Sequence, residues 1–172
     1  MTPTEVQNGP AVEHVVAALR ERMYGAISCL ATLAALARYT TVDTNAWFRV
    51  VDVAVAAGGL WAAALLAEFI ARLSVEGKAP RGRAAWAMLA SSGQILQAAA
   101  APALILALAG FGVLDTPTAV WIAMWFLVAE MGLIAFAAVH RAGLVWWQQV
   151  LAVLLLAGAG AAVVAVKMIA HH

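Results

Sequence analysis

Residues 118–139 read TAVWIAMWFLVAEMGLIAFAAV, an apolar run broken by one charged residue, Glu130. At 1.5 Å of rise per residue, a helix of that length matches the roughly 30 Å of a bilayer's hydrocarbon core. Lipid offers no partner for a bare backbone amide, so the run reads as a transmembrane α-helix. Asp115-Thr116-Pro117 stands just ahead of it. Thr116 suits the capping of free amides and Pro117 the first helical position.

The same kind of run recurs to either side. Residues 144–170 follow after a tight link at 141–143, and residues 84–110 precede, with Pro102 inside. Further back lie 50–71 and a shorter run at 23–37, bracketed by Arg22 and Arg38. Those two arginines stand roughly 24 Å apart along a helix, and both can snorkel to an interface. Ahead of them, Val12, Val15, Val16, Leu19 and Met23 recur at helical spacing, with Glu13, His14, Arg20 and Glu21 off the stripe. This segment reads as an interfacial amphipathic helix or as an extension of the first span. The expected fold is therefore an all-α integral membrane protein, a bundle of about five transmembrane helices with a short N-terminal amphipathic segment. A polar tail at 1–10 precedes a single helical membrane domain at 11–172.

Composition agrees. Of 172 residues, 65% are hydrophobic and 11% charged, about half the charge fraction of a soluble domain. The net charge of +1 comes with no basic tract beyond one short loop, which excludes a nucleic-acid partner. The single cysteine, Cys29, sits in the first apolar run and reads as a packing residue. Some twenty polar or mixed residues come before that run, so a cleavable leader is not expected. No loop is long enough to house an active site, Ser91-Ser92 has no triad context, and no phosphate-binding glycine loop occurs. Neither enzymatic activity nor a cofactor is expected. No His or Cys pair has ligand spacing, so no metal site is expected either.

Basic residues set the orientation. Arg20, Arg22, Arg72, Lys78, Arg81, Arg83 and Arg141 collect on one side, against Arg38, Arg49 and Lys167 on the other. The bias places the N-terminus in the cytoplasm. Trp86, Trp146 and Trp147 then fall at the inner level, with Trp47 and Trp121 at the outer.

Two blocks carry a family likeness: Arg22-Met23-Tyr24-Gly25 at the mouth of the first span, and His140-Arg141-Ala142-Gly143-Leu144 running on through Trp147 to Lys167. On these blocks the chain resembles a group of small bacterial, often actinobacterial, multi-span integral membrane proteins, most without an assigned activity. The resemblance implies a multi-span fold in the bacterial inner membrane. It supplies no reaction and no site residue.

Glu130 is the most informative single residue. A carboxylate near the centre of a span costs a few kcal/mol unless it is neutral or partnered. Gln94 lies eleven residues from Arg83, and Glu130 ten from His140, so both stand about 15 Å from the same interface. Gln97 is one turn deeper. A polar cluster of Glu130, Gln94, Gln97 and Ser91 is expected, serving either as a proton or cation step or as hydrogen-bonded helix glue. Glu68 stands four residues before Arg72 and reads as an interfacial ion pair or, facing a cavity, as the mouth of a path toward Gln94. Gly158 with Ala162, and Gly58 with Gly59, permit close helix contact, while Pro102 permits a kink. Two functions follow as expectations. One is a small homo-oligomeric ion or proton channel or transporter. The other is a non-catalytic accessory subunit of a membrane complex. The lipid bilayer, and further copies or foreign subunits, are the expected partners.

Overall fold

The computed structural model describes residues 10–141 together with Trp147, Val150, Leu151, Leu154 and Gly158. Among them only helices and their connections occur: α1 (Pro10–Ala37), α2 (Ala46–Glu76), α3 (Arg83–Gly110) and α4 (Thr116–Arg141). The expected fifth span at 144–170 lies outside the described residues except for those five, each helical and exposed. The tail at 1–9 and Ala162 lie outside them too.

Local chemistry sets the helix ends. Asn45 caps α2 by accepting the Trp47 amide at 2.9 Å. Gly77 closes it in the left-handed region (φ 65°), donating to the Leu73 carbonyl, a conformation only glycine adopts at no cost. Asp115, not Thr116, caps α4, its carboxylate accepting the Thr118 amide at 2.9 Å. This corrects the sequence expectation. Thr116 is the first helical residue, and its buried hydroxyl instead donates to the Thr44 carbonyl at 2.8 Å. That bond ties the α1–α2 connection to the start of α4.

Three helices, α2, α3 and α4, are long and apolar enough to cross a membrane, with mean hydropathies of 2.0, 1.5 and 2.0. Their outward faces are apolar as well. Leu104, Trp121, Trp125, Leu133 and Phe136 are all exposed, and each would forfeit about 1.5–3 kcal/mol of burial in water. A surface of this kind is stable against lipid. The protein is membrane-embedded.

The first helix takes the second of its two readings, an extension of the first apolar run. The amphipathic segment and the short first span form one continuous helix, α1. It is not among the three spanning candidates, because Arg20, Glu21 and Arg22 interrupt its apolar character. Its later half is nonetheless the most enclosed stretch of the bundle. Ala26 and Leu33 are fully buried, and Cys29 and Leu30 nearly so. α3 packs against all three other helices and α1 likewise, while α2 and α4 are held apart by them. Ile95, Leu106, Leu127, Val53 and Val120 complete the core. Pro102 is buried within α3, which continues past it although the Ala98 carbonyl loses its helical donor.

Close approach depends on glycines other than those expected. A Cβ on Gly25 would meet the Ile95 Cα at 2.8 Å and its carbonyl oxygen at 3.0 Å. Gly25 thus lets the α1 and α3 backbones touch. Gly110 plays the same part for the Trp47 indole, which covers it at 2.7 Å from the position a Cβ would take and meets Phe111 edge-on at 5.1 Å. Gly58, Gly59 and Gly158 have nothing within 4 Å. Among the described residues these three are not packing contacts.

Candidate functional site

Glu130 is partnered, and not by Gln94. The Arg22 Nε donates to Glu130 Oε1 at 2.8 Å, and a terminal guanidinium nitrogen donates to the same oxygen. The side chains are 36% and 13% exposed, so the pair is half-withdrawn from solvent and lipid. Helical spacing explains the meeting. Arg22 lies four, seven and eleven residues before the buried Ala26, Cys29 and Leu33, on the face α1 turns inward. Glu130 stands three residues past the buried Leu127 and seven past Ala123. Arg22 and Glu130 stand at matching distances along their helices. Arg22 lies twelve residues into α1, about 18 Å, just as Glu130 lies eleven residues, about 16 Å, from the end of α4. The expected cluster of Glu130 with Gln94 is absent among the described hydrogen bonds.

A cleft opens at the same level where α1 and α2 diverge over α3. Its volume is about 300 Å³, and its polar lining is Arg20, Glu21, Glu68, Arg72, Ser91 and Ser92. Arg72 donates to Glu68 at 2.7 Å and lies 3.6 Å from Glu76, while Arg20 bonds Glu21 at 3.0 Å. Glu68 is ion-paired with Arg72 and also lines the cleft. Ser91 and Ser92 turn their hydroxyl protons back to the Met88 carbonyl at 3.0 Å, leaving oxygen lone pairs free. Arg20, Glu21 and Ser92 were not singled out in the sequence. Their signal was available as the same helical level reached from each chain end.

Gln94 and Gln97 continue from this cleft along α3. Ser91, Gln94 and Gln97 follow at three-residue spacing, each about 4.5 Å deeper and turned further around the axis. Gln94 is half-buried and Gln97 exposed, and neither carboxamide has a hydrogen-bond partner among the described residues. Gln97 stands fourteen residues from Arg83 and thirteen from Gly110, midway along the helix. It interrupts an apolar outward stripe that includes Trp86, Leu89, Leu104, Leu108 and Phe111.

The far end of the bundle has a different character. Arg49 pairs with Asp52 at 2.8 Å, and its Nε is buried without a partner among the described residues. Asp115 is fully exposed, and the Thr118 amide holds its carboxyl below the ordinary carboxylate value.

The class these features define is an integral membrane protein of packed apolar helices, with one charged layer and one mid-depth polar ribbon. No protein-family model matches the chain, and neither a characterised protein nor a solved structure shows significant similarity to it.

Proposed function

We propose that the protein is a small homo-oligomeric channel or transporter for protons or an inorganic cation, with the polar ribbon of α3 lying where copies meet. The observation that carries this reading is Gln97. A primary carboxamide at the centre of a lipid-facing stripe leaves donors and acceptors unmet in hydrocarbon, at a cost of several kcal/mol. Water in a pathway, or the same residue of another copy, satisfies it. The charged cleft at Glu68 opens about 9 Å below Gln97, two steps of the ribbon away. In this reading Glu130, held by Arg22, serves as a positioning group. Residence in a bacterial inner membrane with a cytoplasmic N-terminus belongs to the same proposal. It rests on the family likeness and on the basic residues at the charged end.

Reconstitution in liposomes tests the proposal. Gln97→Leu should abolish proton or potassium flux and leave the fold intact. A Gln97→Cys variant in a Cys29→Ser background should cross-link between copies. Flux equal to the parent in Gln97→Leu would refute it.

One observation favours the accessory-subunit reading. The core between α1, α3 and α4 is closed, and the pair that bridges α1 and α4, Arg22 with Glu130, is saturated. A parent protein that conducts nothing but purifies with foreign membrane subunits would establish that reading.

A further inference from the structure

The cleft between α1, α2 and α3 has a chemistry independent of transport. Two guanidinium groups, Arg20 and Arg72, and two carboxylates, Glu21 and Glu68, face one space of about 300 Å³, at the lower end of the range of small-molecule pockets. The four charges cancel. A lone anion gains from the arginines but is repelled by the glutamates, and a lone cation meets the reverse. A group carrying a phosphate and an ammonium a few ångströms apart satisfies both signs at once, by lying antiparallel to the protein's own ion pairs.

Position decides where such a group comes from. Glu68 lies eight residues from the end of α2, and Ser91 eight from the start of α3, each about 12 Å inside the helix ends. Along the same turns the outward faces of α1 and α2 are apolar, with Val16, Leu19, Leu66, Ile70 and Leu73 exposed. A soluble zwitterion gains nothing from those outward apolar faces, whereas acyl chains pack on them. Small side chains, Ala64 and Ala87 among them, line the space between the charges and keep it open.

We propose that this cleft binds the headgroup of a zwitterionic phospholipid with a primary ammonium. The phosphate faces Arg20 and Arg72, the ammonium faces Glu21 and Glu68, and the Ser91 and Ser92 oxygens accept from the ammonium. The chains lie along the outward faces of α1 and α2. The site stands whether or not the protein conducts.

Native mass spectrometry of the full chain, released from nanodiscs of equal phosphatidylethanolamine and phosphatidylglycerol, is the test. The parent should retain the ethanolamine lipid with about tenfold preference. Ala64→Phe, which fills the cleft without touching a charge, should bring the two lipids to parity. Arg20→Gln, at a side chain 62% exposed and so harmless to folding, should do the same. Equal or greater retention of phosphatidylglycerol by the parent would overturn the proposal, as would an undiminished preference in both variants. Displacement by soluble glycerophosphoethanolamine at the same concentration as the lipid would overturn the membrane source and assign a free zwitterion.

Discussion

Gly25→Ala adds one methyl group where α1 and α3 touch, and the outcome can be worked from the geometry. The new Cβ meets the Ile95 Cα at 2.8 Å, the Ile95 carbonyl oxygen at 3.0 Å and the Ala98 Cβ at 3.2 Å. Two of these three obstacles are backbone, so no rotamer change relieves them and the helices must part. Overpacking costs about 1–3 kcal/mol, and rigid obstacles belong at the upper end. Against this, alanine favours a helix interior by about 1 kcal/mol over glycine. The net expectation is a loss of roughly 1–2 kcal/mol. Gly59→Ala is the matched control, since Gly59 is helical and exposed with nothing within 4 Å. It should be neutral or stabilising by up to about 1 kcal/mol. The difference between the two variants isolates the clash, about 2–3 kcal/mol. Unfolding in mixed micelles of increasing dodecyl sulfate, followed by tryptophan fluorescence, reads it. Equal midpoints for both variants would refute the close contact of α1 with α3.

Glu130→Gln should cost about 1–3 kcal/mol by stripping Arg22 of its counter-charge. Arg22→Met combined with Glu130→Leu should recover most of that loss, and a double-mutant cycle in the same unfolding assay measures the coupling. Thr116→Val should cost about 1 kcal/mol, because the Thr44 carbonyl loses its donor, and amide exchange in the 38–45 connection should rise in step. The cap at Asp115 gives a pH dependence. Its folded carboxyl titrates below the ordinary 3.8, so its contribution is complete above that value and is lost as pH falls through the lower folded one. Asp115→Asn should keep the cap yet abolish this acid dependence of the melting temperature, and a parent-like acid profile in that variant would contradict the assignment.

The spanning helices were legible because lipid imposes one rule on sequence, long apolar runs with helical backbone, and α2 to α4 obey it. Residues 50–71, 84–110 and 118–139 grew by only a few residues at their ends, where caps such as Asn45 and Asp115 act. α1 was harder to read. Its charges suggested a boundary at Arg22, but a single charge facing a carboxylate inside the bundle does not end a helix. Depth along a span can be counted from sequence, whereas the neighbour that shares that depth depends on rotation about two axes. Gln94 and Arg22 were both at the level of Glu130, and only packing chose between them. Glycine pairs such as Gly58-Gly59 stand out to the eye, while the lone Gly25 inside RMYG does not, although it alone of the three lies against another backbone.

The ion pair that joins α1 to α4 spans 108 residues of sequence. At an elongation rate of about 5–20 residues per second, its two halves leave the ribosome about 5–20 s apart. For that interval α1 is in or at the membrane with a guanidinium on its inward face and no carboxylate to meet it. The pair cannot form until α4 has been made, so the contact that joins α1 to α4 is one of the late contacts of the bundle.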